Sequence, residues 1–223
     1  MLEALRRWRF ARRLKECARS DHTLLRAYAE AEWPAASAPI SRVPLLALDF
    51  ELDGLGKDAH VLQAGWLPFN LSGIDLSQAC SRDIRSKARL DDDAVAVHGI
   101  GETRAREGEH RHKVTDELLA ALAGKVVVAH GASIERGVVE RLVAQRFGIA
   151  PPVRAICTLE LERKLSPGLV GTEVYRLEAS RSRYNLSPHS QHDALADALA
   201  SAELFLAQLT RMGREMSLGS LEC

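Results

Sequence analysis

Long apolar runs are missing from this 223-residue chain. No stretch approaches the ~18 apolar residues of a membrane-spanning helix, so no membrane partner is expected. The opening "MLEALRRWRFARRL" scatters its charges and has no continuous apolar centre, so it is not expected to be a secretory signal. Cysteine is scarce. Cys17, Cys80, Cys157 and Cys223 lie far apart without a C-x-x-C pair, which argues against a zinc site and against a disulfide scaffold. Reduced thiols and a cytoplasmic location are the expectation. Net charge is absent too: thirty basic and thirty acidic side chains cancel, so the total points to no class of partner. There are no internal repeats and no low-complexity segment.

What is present suits one domain with a small appendage. A hydrophobic content of 46% is ample for a core. Charge is unevenly spread: Arg6, Arg7, Arg9, Arg12, Arg13, Lys15 and Arg19 crowd the first twenty residues against Glu3 and Glu16. Two readings of that stretch stay open. It can bind nucleic acid backbone, with Trp8 and Phe10 stacking, or it is a solvated helix whose aromatics pack on the domain.

Residues 1–33 read as two helices, the second capped by Asp21 with Leu24, Leu25, Tyr28 and Ala31 as its apolar stripe. The linker "WPAASAPISRVP" sets a boundary near residue 42. This divides the chain into an N-terminal helical extension and linker (1–42), a main domain (43–210) and a tail (211–223). Strands are expected at "LLALDF", "HVLQAGWLPF", "IDLSQAC", "KVVVAH" and "VRAICT". Helices are expected at "TDELLAALAG" and "SIERGVVERLVAQRFG", each stopped by glycine, and from Ala194 to Leu209. Their apolar faces read as Ile134, Val138, Leu142 and Val143, and as Leu195, Leu199, Ala202, Leu206 and Leu209. Hairpins followed by βα alternation imply an α/β fold: a mixed five-stranded sheet flanked by helices.

Acids fall at three element ends. Asp49 and Glu51 close the apolar first strand on one face, where like charges repel unless a cation lies between them. His130 closes a later strand and Glu135 opens the following helix; a helix dipole alone justifies that acid, and His130 can be a satisfied buried histidine. His192 and Asp197 are five apart and converge only if His192 stands in the loop before the last helix, with Asp193 as its N-cap. Oxygen-rich ends on separate elements suit two divalent metal ions, Mg²⁺ or Mn²⁺, and a loop histidine suits a general base for water.

In this order, D-x-E, H-x-x-x-x-acid and H-x-x-x-x-D resemble the DEDDh family of 3′–5′ exonucleases, which includes the proofreading epsilon subunit of bacterial DNA polymerase III. "HVLQAGWLPF", "LDDDAVAVHGIGE" and "ICTLELERKL" are similar to further family segments, and the likeness covers roughly three quarters of the chain. The resemblance implies a ribonuclease H-like fold. It implies Asp49, Glu51 and Asp197 as metal ligands, His192 as general base and Glu135 as the remaining acid. It also implies Leu52, Asp53, Gly54, His98 and His130 against the terminal nucleotide. The expected substrates are single-stranded or frayed 3′ ends of DNA ahead of RNA, and the expected associate is a polymerase or repair partner. Leu52 and Asp53 replace the family's two threonines, Gly131 its asparagine, Ile134 its phenylalanine and Glu135 its aspartate. Those departures motivate the alternative of a weakened or inactive module that binds nucleic acid or a protein partner.

Overall fold

A computed structural model of the protein describes residues 2–54, 56, 59–86, 95–96 and 98–223. Helices α1 (Leu2–Ala18) and α2 (Thr23–Glu30) come first, and strands β1 (Leu45–Leu52), β2 (Val61–Asn70), β3 (Gly73–Ile74) and β4 (Cys80–Asp83) follow. Helices α3 (Glu102–Glu107) and α4 (Arg111–Leu122) lead to β5 (Val126–Ala129), α5 (Ala132–Phe147), β6 (Ala155–Cys157) and α6 (Thr158–Leu165). Helices α7 (Leu177–Ser182), α8 (Ala194–Met212) and α9 (Leu218–Leu221) complete the chain. Part of the expected "LDDDAVAVHGIGE" segment lies outside the described residues.

The sheet has the order β3-β2-β1-β5-β6, with β4 also on β2. It is mixed: β1 runs antiparallel to β2 and parallel to β5, and β5 parallel to β6. Six strands replace the expected five because "IDLSQAC" is not one strand. Asp75 accepts the Ser77 N–H at 3.0 Å and turns the chain into a short 3-10 helix, Leu76–Gln78, which separates β3 from β4. An Asp two residues before a serine offers the backbone this alternative to a ladder.

Strand alternation divides the interior. Leu46, Leu48 and Phe50 face one cluster, built with Cys17 of α1, Leu25 and Tyr28 of α2, Leu118 of α4 and Leu142 of α5. Leu45 and Ala47 face the other, with Leu161 of α6, Phe205 of α8 and Leu221 of α9. The N-terminal helices and the C-terminal turn therefore share the cores of the main domain. Asp49 and Glu51 continue the second face, the one α8 covers.

Several local expectations shift by a residue or two. Helix α2 starts after His22, without a side-chain cap, instead of at Asp21. On α5 the buried stripe is Val138, Val139, Leu142 and Val143, while Ile134 is 52% exposed. On α8, Ala198, Ala202, Phe205 and Leu209 are buried, and Leu195, Leu199 and Leu206 only partly so. Small alanines let this helix lie close to the sheet. Gly148 closes α5 in the left-handed conformation at φ 75°, as the glycine-stop reading requires.

Candidate active site

The parallel ladder between β1 and β5 ends at Ala47 and Val128, whereas the pairing with β2 continues through Asp49–Gly65 and Glu51–Gln63. Beyond β5 the chain turns into α5, so Asp49 and Glu51 stand past the end of that ladder, where an open α/β sheet leaves a crevice. Such a crevice, past the carboxyl ends of parallel strands, is the usual ligand position of an open α/β sheet. A break in register after Glu51 then pairs Leu52 with Val61.

Glu135, in the first turn of α5, is buried, and its Oε2 has no hydrogen-bond partner among the described residues. Asp193 caps α8 by accepting the Ala196 N–H at 3.0 Å. Asp197 lies one turn on. The strained loop before the cap holds His192 at φ 61°, and its backbone N–H donates to Asp197 Oδ2 at 2.8 Å. Ligand atoms of Glu51, His192 and Asp197 lie within 4.8 Å of one another. The two ends of H-x-x-x-x-D thus meet across a helix cap, as their five-residue spacing demands.

Electrostatics describe the same cluster. Burial, and then Glu135, Asp197, Glu51 and Asp193 in that order, hold the Asp49 carboxyl well above the usual range. Glu51 is pushed up to about 7 by burial and by Asp197 and Asp193. Burial also raises Glu135. Several acids that raise one another form a site short of positive charge. The orphaned Glu135 oxygen and this oxygen-rich donor set fit a hard divalent cation.

Three positions outside the expected set shape the site. Gly65, paired with Asp49, has no side chain because α8 lies against it: a Cβ there would stand 2.2 Å from the Ala194 carbonyl carbon. Gln63, buried in the same strand, accepts the Ala194 N–H at 2.9 Å and so holds the start of α8. A glycine and a glutamine two apart in an otherwise apolar strand are visible in the sequence, and an interior glycine signals close backbone approach. His189 is the third. Its Nε2 donates to Asp197 Oδ1 at 2.7 Å, and its Nδ1 stands 3.2 Å from Glu178 Oε2 of α7. No motif announces a contact between separate helices.

Other expected residues are engaged elsewhere. Asp53 accepts the His60 N–H at 2.6 Å and pairs with the His60 ring at 2.8 Å, clasping the ends of its loop. Gly54 has open space where a side chain would stand. His130 contacts Thr158 Oγ1 through Nδ1 at 2.9 Å and the Tyr175 carbonyl through Nε2 at 2.8 Å. Burial lowers its pKa to about 4, so it is a neutral tie between β5, α6 and the Tyr175 turn. His98 is buried: its Nδ1 accepts the Ile100 N–H at 3.0 Å, its Nε2 lacks a partner among the described residues, and burial followed by His192 lowers its pKa. Phe10 packs edge-on against Trp33 at 5.2 Å, whereas Trp8 is 56% exposed.

A family model described as an exonuclease matches residues 46–205, which hold every acid of the cluster. The DNA polymerase III subunit epsilon of Salmonella typhimurium is 32% identical over 128 residues, 53% of this chain and 49% of that protein. The chain thus spans about half the length of such curated relatives. The DNA polymerase III PolC-type of Caldanaerobacter subterraneus is 27% identical over 51% of this chain and 8% of its own length. Among solved structures, exonuclease X in complex with 5′ overhanging duplex DNA matches with TM-score 0.61 and 23% identity, covering 78% of this chain and 97% of that one. The nuclease domain of 3′hExo, a DEDDh family member bound to rAMP, gives TM-score 0.63 and 13% identity, covering 78% of this chain and 94% of that one.

Proposed function

The chain belongs to the exonuclease family, as a DnaQ-like DEDDh member of 3′–5′ type, and from that premise we propose that it releases mononucleotides from DNA 3′ ends with two divalent metal ions and a histidine base. One observation carries the reading: Glu51, His192 and Asp197 converge within 4.8 Å beside an acid, Asp49, whose carboxyl is held above the usual range by burial and then by its acidic neighbours. In this reading Asp49, Glu51 and Asp197 would hold the ions, Mg²⁺ or Mn²⁺, with Glu135 as the remaining acid of the set. Bound there, the ions supply Lewis acidity toward the phosphodiester and its attacking water.

The protein's own groups do the rest. His192 takes the proton of the attacking water. Its ring is exposed beside the acids, reachable by a substrate entering the crevice. His98 offers an unpaired Nε2 to the terminal nucleotide, and exposed Ile134 offers an apolar contact beside Glu135. Leu52 and Gly54 border the same entrance. Asp53 and His130 act through the backbone they fasten, Asp53 on its loop and His130 behind the cluster. A cytoplasmic location and a polymerase or repair partner belong to the same proposal; the polymerase III relatives support them.

The test is a 5′-labelled single-stranded DNA with an RNA twin, incubated in Mn²⁺ and then in EDTA. Shortening from the 3′ end that needs Mn²⁺, is faster on DNA and is lost in Asp49→Ala and His192→Ala bears out the proposal. A folded wild-type chain that shortens neither strand makes it a binding module.

A further inference from the structure

Helix α1 lies outside the residues of the exonuclease family match. Its side chains divide by face. Phe10, Leu14 and Cys17 turn inward: Phe10 stacks against Trp33, Leu14 packs on the core and Cys17 is fully buried. At about 100° per residue, Trp8, Arg12, Lys15 and Arg19 fall within a sector of about 60° on the opposite side. All four are exposed. The Arg12 guanidinium lies 5.5 Å from the Trp8 ring centroid. Among the described residues, Arg12, Lys15 and Arg19 form no ion pair, and Glu16 is the acid on the flank of this face.

Further basic residues lie on the flank of α1 that meets α5. Arg6 and Arg9 share a groove with Arg136 of α5, and Arg136 directly follows Glu135 in the chain. Arg13 and Arg154, in the same groove, are neutralised by Glu140 and Glu222. A second group of basic side chains thus lies on the flank of α1 that meets α5, apart from the Trp8, Arg12, Lys15 and Arg19 face. The apolar face of α1 is used against the domain, and Leu5 and Trp8 are the large apolar side chains left exposed on the helix among the described residues, too few for an amphipathic face that inserts into a lipid surface.

We propose that the solvent face of α1 is an accessory binding surface for single-stranded nucleic acid, its phosphates on Arg12, Lys15 and Arg19 and one base on Trp8. The inference rests on the reading that the substrate is a nucleic acid. Three spaced cations match a phosphate backbone, and an indole offers a stacking platform that accepts any base. The surface holds a strand away from the reacting end, so it acts on long substrates and leaves short ones untouched.

The experiment uses the full chain in EDTA with a fluorescein-labelled thirty-nucleotide oligothymidylate, titrated across NaCl concentrations. The triple variant Arg12→Gln/Lys15→Gln/Arg19→Gln is expected to weaken binding at least tenfold at low salt. It should also flatten the plot of log affinity against log salt by about 2, roughly 0.7 for each cation. Trp8→Ala should weaken binding roughly tenfold without changing that slope. Both variants should melt like the wild type and hydrolyse the small p-nitrophenyl ester of thymidine 5′-phosphate at its rate. Unchanged affinity and slope, or binding to anionic phosphatidylserine vesicles with none to the oligonucleotide, overturns the proposal. Failure of the wild type to hydrolyse the ester in Mn²⁺ refutes the catalytic reading instead, and the titrations in EDTA still decide the surface.

Discussion

Replacing Gly65 by alanine adds one methyl group and tests how the site is assembled. The new Cβ would stand 2.2 Å from both the Ala194 carbonyl carbon and the Leu195 nitrogen, where ordinary contact begins at 3.4 Å. These are backbone atoms and cannot rotate aside. The first turn of α8 must therefore retreat by about 1.2 Å. It is held there by the Ala194 N–H bond to Gln63, so that bond lengthens or breaks. His192, Asp193 and Asp197 travel with it, while Asp49 and Glu51 stay on β1. Overpacking of this kind costs about 1–3 kcal/mol, and a misplacement of about 1 Å costs on the order of a hundredfold in rate.

The assay compares Gly65→Ala with Leu67→Ala, two residues along the same strand face and buried away from the acids. Leu67→Ala should cost about 2–5 kcal/mol through its cavity yet keep kcat within a few-fold. Gly65→Ala should cost less stability but lower kcat about a hundredfold and weaken Mn²⁺ binding. If Gly65→Ala keeps kcat within twofold, or if Leu67→Ala loses as much, the claim that this glycine sets the distance between β1 and α8 is wrong.

Three further outcomes follow from the same geometry. Glu51 has its pKa raised from 4.5 to about 7 by burial and its acid neighbours, so its contribution to metal-free stability is full below 4.5 and disappears as pH rises through about 7. Mn²⁺ must displace that proton; the rise in melting temperature on adding Mn²⁺ should be larger at pH 8 than at pH 5.5, and equal shifts would refute this. His189→Ala removes a donor that orients Asp197 and should weaken Mn²⁺ binding or lower kcat about 10–100-fold, with His189→Gln partly restoring it. Wild-type metal affinity and kcat in both variants would make His189 a mere link to α7. His130→Phe should lower the melting temperature through loss of the Thr158 and Tyr175 contacts while the surviving folded fraction keeps its KM; a large rise in KM would put His130 on the substrate.

The sequence made legible what depends on local spacing. Asp49 and Glu51 share a strand face at period two, and His192 and Asp197 meet because Asp193 caps the helix between them. The glycine stop at Gly148 and the βα alternation were equally readable. What escaped depends on which element crosses which. Gly65 carries meaning only once α8 lies over β2. His189 joins α7 to α8, and its neighbour Glu178 is eleven positions earlier. On α8 the expected Ala202 and Leu209 are buried and Leu195, Leu199 and Leu206 pack on the core only partly buried, while Ala198 and Phe205 were missed because counting large apolar side chains passes over inward alanines. Asp53 is expected against the terminal nucleotide, and its pairing with His60 depends on the return of the chain, which spacing does not show.

The central claim is that the acids at the end of β1 and the start of α8 form one divalent-cation site. The direct measurement is Mn²⁺ binding to the full chain at pH 8, followed by electron paramagnetic resonance with thymidine 5′-phosphate present. The account predicts two ions per wild-type chain, a clear loss in Asp49→Asn and in Asp197→Asn, and wild-type binding in Asp53→Asn once that variant is shown to be folded. Saturating Mn²⁺ without detectable binding to the folded wild-type chain, or undiminished binding in Asp49→Asn and Asp197→Asn, would contradict it.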